Sequence, residues 1–541
     1  MKNNMKVDIN ALIDSLTLDE QIGQMMCIDF DSHNIEKVTE LARETKAGTI
    51  FVANNTPEHI RTATEIINSN TRIPAMIAAD IECGPGHILT GEVKVTNPMS
   101  WGAANDETLV YKAHVATGER CREMGVHWSF APICDINYNP DNPVTNVRAV
   151  SDIPERVARI CGAAIDGMQE NGMVMAGCKH FPGDGMDDRN QHLCTTVNSL
   201  SRDEWMHTYG YVYKEMFRHG AASVMVGHIA LPAFDEKEND WAGYRPGTLS
   251  YNIITKLLKG TLGFEGCVVS DALCMVGACS IVPQDRLAVE FVKAGGDMLL
   301  FPNADYFRQI KAAVESGEIP PERIRDAVTR VLKLKERARL FEDRSAVLAD
   351  ITHKYDLAET AQAIADKSIT LIRNYGGTLP LKLKKGAKIL LLNIKRSPEP
   401  ETIFYSSDLD IIKEELEARG YAVEAISNAS RSDFASRLDT FDAVLINCKL
   451  SSQDYPGGSL RIGFEHISPF WRGAVLQHPR VIFTSFGDPY KIHDFPYLKT
   501  YINAYSCSPA TQRAFVKALF GEIPFMGKSP VSFPPYFNAE V

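Results

Sequence analysis

The chain has 541 residues, of which 45% are hydrophobic, and a formal net charge of -11. This length is enough for more than one hydrophobic core, and the simplest expectation is two domains. The net charge is negative and the sequence has no stripe of Lys and Arg. Nucleic-acid-binding proteins usually have basic residues clustered on one face, so we do not expect nucleic acid as a partner.

Targeting signals and paired cysteines are not visible in the sequence. The first residues contain no apolar run ahead of a small-residue cleavage site, and no stretch of about 18 uncharged apolar residues occurs. We therefore expect a cytoplasmic protein that does not bind membranes. The 12 cysteines form no C-x-x-C pair and no zinc-like pattern with His, so we expect reduced thiols and no metal site. No feature of the sequence indicates an oligomeric state.

The first part of the chain alternates between predicted strands and helices. It opens with an amphipathic helix over 8–15, and Thr17 with Glu20 forms a capping-box pattern that starts a second helix. The predicted strands are 48–53, 75–79, 127–135, 174–178, 223–226, 267–270 and 297–301. The predicted helices include 57–68, 107–124, 153–171, 202–218 and 284–294.

This alternation predicts a parallel sheet, because strands that are apolar throughout must be covered on their outer face by the intervening helices. Seven or eight such units within about 340 residues fit a (β/α)8 barrel. A doubly wound open sheet is the alternative for this part. In a barrel, the functional residues lie at the carboxyl ends of the strands.

A second, smaller α/β domain is predicted after the barrel. Helix 321–339 is expected to close the barrel, which places the first domain at residues 1–342. Periodicity is lost over 343–357 and helical pattern returns at 358–367, so we assign 343–375 as the linker. Strands at 388–393, 443–447, 481–486 and 501–505, with a last helix at 509–520, then predict a layered α/β domain over 376–541.

Charged side chains concentrate just after two of the predicted strands. The segment CKHFPGDGMDDRNQHLCTTVN, at 178–198, is too rich in Gly and Asp to be helical and carries two His, three Asp and an Arg. Asp271 directly follows the strand 267–270. Since both positions lie at carboxyl ends of strands, the sequence predicts one pocket that both share. The alternatives are a solvated loop and, for Asp271, a cap on the next helix.

Five motifs in this order resemble glycoside hydrolase family 3, in its bacterial β-N-acetylglucosaminidase branch. They are SLTLDEQIGQMM, KHFPGDG with a downstream His, LGFEGCVV followed by SDALCM, SITLIRNYGGTLPL and LFGEIPFMGKSPVSFP. The resemblance implies a (β/α)8 TIM barrel followed by an α/β sandwich. It also implies a carbohydrate or glycoconjugate as substrate, and a reaction without metal or organic cofactor.

The resemblance also assigns roles to residues. Asp271 matches the nucleophile, a carboxylate that attacks the anomeric carbon and forms a covalent glycosyl-enzyme with retention of configuration. His192 matches the acid/base on the loop after KHFPG, where an imidazole with a pKa of ~6.5 can donate and accept a proton near neutrality. Asp80, Arg148, Lys179 and His180 match residues that bind the sugar.

The chain departs from the family pattern beside the acid/base. The family has Asp-x-His, whereas this chain has Asn190 two residues before His192. Asn can accept a hydrogen bond from the imidazole but carries no charge, so we expect a weaker acid/base pair. Two explanations stay open: Asn190 weakens the pair, or Asp187 or Asp188 supplies the missing charge.

Other departures concern the pocket. Asp184 stands where the family usually has His, and the residues that follow Asp80 are altered. Arg148 has the alternative of a salt bridge at a helix end, and His228 either lines the pocket or is structural. A second-domain loop, 453–461, is a further candidate wall of the site.

The expected function is that of a retaining exo-β-N-acetylhexosaminidase, which removes a terminal β-linked N-acetylglucosamine or N-acetylgalactosamine. A β-glucosidase of the same family is an alternative, although such enzymes usually take the acid/base from the second domain. A phosphorylase with the same covalent intermediate is another. From a different class comes a sugar-binding protein whose turnover is weakened by Asn190.

Overall fold

The computed structural model describes residues 7–239, 243–395, 408–450, 470 and 475–533. The loop 453–461, named above as a candidate wall of the site, lies outside these ranges. No helix within them is long and apolar enough to cross a membrane. Each of the cysteines is a free thiol.

The first 337 residues contain twelve strands and twelve α-helices among those described. The strands are β1 Met26–Asp29, β2 Thr49–Phe51, β3 Met76–Ala79, β4 Trp128–Ser129, β5 Met175–Phe181, β6 Thr196–Val197, β7 Ser223–Val226, β8 Ile229–Ala230, β9 Lys237–Asn239, β10 Gly243–Tyr244, β11 Cys267–Ser270 and β12 Leu299–Leu300. The α-helices are α1 Ile9–Asp14, α2 Leu18–Gln24, α3 Ile35–Thr45, α4 Pro57–Asn68, α5 Pro98–Ala104, α6 Glu107–Met124, α7 Pro154–Met168, α8 Arg202–His207, α9 Tyr209–Arg218, α10 Leu287–Ala294, α11 Ala304–Glu315 and α12 Pro321–Arg337. A helix with π-type hydrogen bonds covers Asn252–Thr261.

Eight of these strands form a parallel barrel. Their order in the sheet is β11-β7-β5-β4-β3-β2-β1-β12. A parallel bridge between Val269 and Met298 joins the two ends of the sheet, and the Ser270 N–H donates to Met298 O at 3.0 Å. This closure excludes the open doubly wound sheet and confirms the (β/α)8 prediction.

Most predicted elements of the barrel are confirmed, and the deviations have local causes. Thr17 and Glu20 form the predicted capping box, and the helices 57–68 and 107–124 are found at their predicted bounds. The predicted strand 127–135 is a strand only at Trp128–Ser129, because Pro132 has no N–H for the ladder, and an isolated bridge between Ile133 and Lys179 follows the proline. The predicted helix 202–218 is two helices, separated at Thr208, whose backbone has φ -116° and ψ -91°.

The second domain is built on a six-stranded sheet, with a hydrophobic cluster on each of its two faces. Its strands are β13 Thr370–Asn374, β14 Lys388–Ile394, β15 Ala422–Ser427, β16 Ala443–Cys448, β17 Val481–Ser485 and β18 Thr500–Asn503, in the order β13-β18-β17-β16-β14-β15. All neighbours pair in parallel except β13 with β18. The α-helices from residue 344 onward are α13 Arg344–Leu348, α14 Leu357–Ser368, α15 Asp410–Ala418, α16 Arg431–Phe434, α17 Lys491–Asp494 and α18 Pro509–Leu519.

The predicted linker 343–375 contains the short helix α13, the helix α14 and the edge strand β13. Its last strand is therefore part of the second sheet. The strands predicted at 388–393, 443–447 and 481–486 are found within one residue of their predicted ends.

The two domains share an apolar interface. Met99, Ala103 and Val147 of the barrel belong to the same buried cluster as the strands β14, β16 and β17. Polar contacts fix the register of this interface. Asn97 Nδ2 donates to Tyr505 O at 2.9 Å, and Asn137 Nδ2 donates to Tyr490 Oη at 2.7 Å.

The last described residues return to the barrel. The N–H of Ser532 donates to Asp152 Oδ2 at 2.7 Å, and the N–H of Asp152 donates to Pro530 O at 3.3 Å. Asp152 follows Arg148 by only four residues. The C-terminal segment thus supports the loop that carries one of the predicted site residues.

Candidate active site

Polar side chains collect at the carboxyl ends of the barrel strands. These side chains come directly after β3 and β11, two residues after β7, six residues after β4, or from the end of β5 itself: Asp80, Asp135, Lys179, His180, His228 and Asp271. The apolar run of each strand ends at this edge. The polar residues therefore lie where the barrel opens.

Asp271 is a buried carboxylate held in its ionised form. It is 9% exposed, and its Oδ1 accepts a hydrogen bond from the Ala272 N–H at 2.8 Å. Burial raises the pKa of this carboxyl group, but the charges of His180, His228 and His192 lower it by more, and the net pKa lies below its usual value. Asp271 is therefore negatively charged at neutral pH.

The segment that carries His192 packs on the segment that follows Asp271. The Val276 N–H donates to the carbonyl of His192 at 3.2 Å. At Gly277, a Cβ atom would lie 2.0 Å from the carbonyl oxygen of Gln191, so only glycine permits this approach. The two residues predicted to share a pocket are thus brought together, and each affects the pKa of the other.

Asn190 orients the imidazole of His192. Its Oδ1 is 2.6 Å from His192 Nδ1 and also accepts from the His192 N–H at 2.9 Å. Because the backbone N–H identifies this atom as an acceptor, Nδ1 carries the proton in the neutral ring and Nε2 is the basic nitrogen. Burial lowers the pKa of His192 to about 4, although the charge of Asp271 opposes the shift.

The alternative that Asp187 supplies the missing charge is wrong. Its carboxylate bonds Arg189 Nε at 2.9 Å and accepts from the Val197 N–H at 2.8 Å, so it is occupied elsewhere. Asp188 is an exposed side chain. The partner of the His192 ring is the neutral amide of Asn190.

Glu82 was not predicted as a site residue. It links Lys179 to Arg148, and Lys179 also pairs with Asp80. Lys179 Nζ lies 2.6 Å from Asp80 Oδ1 and 2.7 Å from Glu82 Oε1. Arg148 holds Glu82 with two bonds, Nε to Oε2 at 3.0 Å and Nη2 to Oε1 at 2.9 Å. Burial alone would raise the pKa of Glu82, but the charges of Arg148 and Lys179 hold it well below its usual value. Arg148 is the last residue of the 3-10 helix Asn146–Arg148, so its salt bridge is at a helix end, as the alternative stated, and its partner is Glu82, which follows β3.

His180 is fixed by a second carboxylate that was missed. Its Nδ1 lies 2.7 Å from Asp135 Oδ2, and its N–H donates to Asp135 Oδ1 at 3.1 Å. Asp135 is buried and ends the predicted strand 127–135, which was the available signal. Glu82 gave a similar signal, since it follows Asp80 by two residues.

Asp184 anchors the His192 segment to the barrel. Its carboxylate accepts from Asn142 Nδ2 at 2.8 Å and from Gln191 Nε2 at 3.1 Å, while Gln191 Oε1 accepts from the His228 N–H at 2.9 Å. Burial and the nearby charge of Asp135 raise the pKa of Asp184 to about 6. Replacing the family's usual His by Asp at this position therefore creates a hydrogen-bonded tie to the neighbour of His192.

His228 is a structural imidazole. Its Nδ1 lies 2.9 Å from Thr248 Oγ1 and its Nε2 lies 3.1 Å from Ala272 O. Both ring nitrogens are thus used within the protein. Within the described ranges, no group of three or more His, Cys, Asp or Glu side chains could hold a metal ion.

Comparison with known proteins identifies the family. Residues 17–334 match the model described as "Glycosyl hydrolase family 3 N terminal domain". The chain belongs to glycoside hydrolase family 3. The family assignment confirms that it is a glycosidase of barrel fold, as the motifs indicated.

Relatives within glycoside hydrolase family 3 cover nearly the whole chain. A "Beta-N-acetylglucosaminidase/beta-glucosidase" of Cellulomonas fimi is 30% identical over 538 residues, which are 95% of this chain and 93% of the relative. Among solved structures, a "Beta-glucoside phosphorylase BglX" is 30% identical with a TM-score of 0.84 and covers 97% of this chain and 95% of that one. A family 3 β-N-acetylglucosaminidase of Paenibacillus sp. str. FPU-7 is 27% identical with a TM-score of 0.84, over 97% of this chain and 100% of that one.

Proposed function

We propose that the chain is a retaining exo-β-N-acetylhexosaminidase that removes terminal β-linked N-acetylglucosamine or N-acetylgalactosamine. The observation that carries the proposal is the pairing of the ionised, buried Asp271 with His192 on the segment packed beside it. A retaining glycosidase needs one group to attack the anomeric carbon and another to exchange a proton with the departing and entering oxygens. The names of the Cellulomonas and Paenibacillus relatives support the choice of sugar.

The proposed reaction has two steps. In the first, a carboxylate oxygen of Asp271 attacks the anomeric carbon while His192 gives a proton to the leaving oxygen, which yields a glycosyl ester and a free alcohol. In the second, His192 takes a proton from water, whose oxygen attacks the same carbon and frees the carboxylate of Asp271. Both steps invert the centre, so the product retains its configuration.

The pair Lys179 and Asp80, with Arg148 and Glu82 beside them, is proposed to bind the sugar hydroxyls. Each hydroxyl can donate and accept, and this cluster offers charged donors and acceptors within one hydrogen-bond length of each other. His180, held by Asp135, completes the proposed wall.

Phosphorolysis is a second candidate, favoured by the neutral partner of His192. With Asn190 in place of an aspartate, no carboxylate of the described residues bonds the ring, so an approaching phosphate meets less repulsion than a dyad of Asp and His would exert. The relative BglX is named as a phosphorylase, which supports testing phosphate as the acceptor. Phosphate would then replace water in the second step, and the product would be a glycosyl phosphate.

The experiment compares nitrophenyl N-acetylglucosaminide, N-acetylgalactosaminide and glucoside, each with and without phosphate, for the wild type, Asp271→Asn and His192→Ala. We expect release of a β-configured hexosamine, and near-complete loss of activity in Asp271→Asn. Glycosyl phosphate in the NMR spectrum would favour phosphorolysis. A preference for the glucoside would contradict the hexosaminidase assignment, and sugar binding without any product would favour a binding protein.

A further inference from the structure

A second cavity lies at the opposite end of the barrel from the candidate active site. Its volume is ≈ 560 Å³, and it is bounded by α4, by the last turn of α6, by the residues that precede β3 and β4, and by the chain that leaves α12. Its walls combine apolar and basic side chains, among them Ile60, Arg61, Arg122, Met124, Leu340 and Arg344.

Arg122 is a buried cation that forms no direct ion pair within the described residues. Burial and the charges of Arg339 and Arg344 lower its pKa by more than the charge of Glu342 raises that pKa. It is 4% exposed, and its Nη1 donates to Met173 O at 3.4 Å. A guanidinium group has five N–H donors, and no carboxylate in the described part of the chain forms an ion pair with this one. Buried charges are normally paired, so this arrangement points to a partner that enters the cavity.

Arg344 provides a second guanidinium on the same cavity. Its Nη2 donates to the backbone carbonyl of Glu123 at 3.2 Å and not to a carboxylate. The Glu123 carboxylate is instead paired with Arg120 at 3.1 Å and with His353 at 3.3 Å.

The other lining charges largely offset each other. Glu342 is paired with Arg339 at 2.8 Å. Arg61 and Glu65 lie one turn apart on α4, so their opposite charges share one wall. The lining as a whole carries four guanidinium groups against three carboxylates, an excess of one positive charge. Arg122 and Arg344 are the two whose hydrogen bonds go to backbone carbonyls.

The pKa of His127, whose imidazole lines the cavity, is affected by the same positive charges. The pKa of His127 is held well below its usual value, first by burial and then by the charges of Arg122 and Arg344. Its Nδ1 accepts a hydrogen bond from the Ile77 N–H at 3.1 Å. The ring is thus neutral and adds no positive charge to the lining.

We propose that this cavity binds a small organic phosphate monoester, with the phosphate between Arg122 and Arg344. A phosphate monoester carries a charge of roughly -1.5 to -2 at pH 7, and Arg122 and Arg344 are bonded to backbone carbonyls instead of carboxylates. The planar fork of a guanidinium also suits phosphate oxygens better than a point charge does. Ile60, Met124 and Leu340 offer apolar surface to the organic part.

The test is calorimetric titration with glucose 6-phosphate, inorganic phosphate and glucose, applied to the wild type, Arg122→Met and Arg344→Gln. Arg43→Gln is the matched control, because Arg43 is an exposed arginine on α3, away from the cavity. We expect the wild type and the control to bind glucose 6-phosphate more tightly than inorganic phosphate and not to bind glucose. Each cavity variant should bind it at least about tenfold more weakly.

Melting without ligand provides an independent readout. Removing an unpaired buried charge should leave the melting temperature of Arg122→Met at or above that of the wild type. A clear fall would mean that Arg122 has a structural partner and would overturn the proposal. Absence of binding would overturn it, as would equal affinity for inorganic phosphate. Binding that is lost in Lys179→Met but kept in Arg122→Met would place the anion in the active site instead, with the same consequence.

Discussion

Asn190 holds the His192 ring by geometry and not by charge. Its side-chain oxygen bonds both the ring and the backbone N–H of His192, so the imidazole is oriented as an aspartate would orient it. What the amide lacks is the Coulombic stabilisation of the imidazolium, and burial lowers the pKa of the ring to about 4. At neutral pH, nearly all of the acid needed for the first proposed step is therefore in its deprotonated form.

Asn190→Asp should raise the pKa of His192 and speed the cleavage of unactivated substrates. Asn190 Nδ2 has no hydrogen-bond partner in the described chain, so the exchange for oxygen breaks no bond. We expect kcat/KM for a disaccharide at pH 6 to 7 to rise by ~10-fold, the size typical of a unit change in acid strength. The measurement is a pH profile of kcat/KM for the disaccharide and for a nitrophenyl glycoside.

The nitrophenyl substrate is the internal control for this variant. Its leaving group needs little protonation, so its kcat/KM should change much less than that of the disaccharide. An unchanged rate for the disaccharide would indicate that the weak acid is not what limits hydrolysis, and would favour the phosphorolytic candidate.

At the scale of elements, the approach of two loops decides whether Asp271 and His192 face one substrate. The carbonyl of Gln191 lies where a side chain of residue 277 would begin. The ties from Asp184 and from the His228 N–H to the Gln191 amide hold the same segment from the barrel side. The loop is therefore fixed on two sides by its neighbours.

Gly277→Ala should displace the His192 segment and lower kcat strongly. The added Cβ would lie 2.0 Å from Gln191 O and 2.9 Å from Cys194 O, so the segment must move. A displacement of about 1 Å at a reacting group can cost on the order of 100-fold in rate. We expect a loss of that size in kcat for a nitrophenyl hexosaminide, together with a small change in melting temperature.

Gly376→Ala is the matched control, because its new Cβ would lie 3.4 Å from the nearest atom, Thr378 Oγ1. That variant should keep wild-type kcat. Full activity in Gly277→Ala would show that the packing of these two loops does not position the acid/base.

The regular alternation of strands and helices could be predicted from the sequence. The strands β1 and β15, and the site residues whose partners lie on other strands, could not. β1 begins two residues after α2 ends. Met25 and Met26 continue the helical spacing of apolar residues, so the sequence showed no boundary between the helix and the strand. β15 is an edge strand with a half-exposed, mixed pattern, and such strands show weak periodicity. Asp271, His192 and Asn190 were predicted through motifs, whereas Glu82 and Asp135 acquire their partners only when separate strands meet.

At the scale of the whole molecule, one buried lysine closes the amino-terminal end of the barrel. Lys335 Nζ donates to Gln24 Oε1 at 2.9 Å, to Gly48 O at 2.8 Å and to Pro74 O at 2.9 Å. These acceptors precede β1, β2 and β3, so α12 is tied to three successive barrel units. Burial lowers the pKa of Lys335 to about 7.

Lys335→Met should destabilise the barrel by about 2 kcal/mol, because three buried acceptors lose their donor. The difference from the wild type should grow as the pH rises from about 7 to about 10. Over that range an unfolded lysine binds a proton that the folded site does not, so the wild type gains stability with pH and the variant does not. Urea unfolding at several pH values measures both effects.

Lys333→Met is the matched control, since Lys333 is an exposed residue of the same helix. It should unfold like the wild type at every pH. A pH-independent difference for Lys335→Met would contradict the lowered pKa of the buried amine.

The return of residues 529–533 to the barrel has a consequence for biogenesis. These residues are the last described part of the chain, yet they bond Asp152, on the loop that bears Arg148. A ribosome releases the barrel sequence long before this segment, and domains generally fold in the order in which they emerge. The nascent barrel therefore has one rim of its pocket unsupported until residues 529–533 have been synthesised, and the enzyme can become competent only after that point.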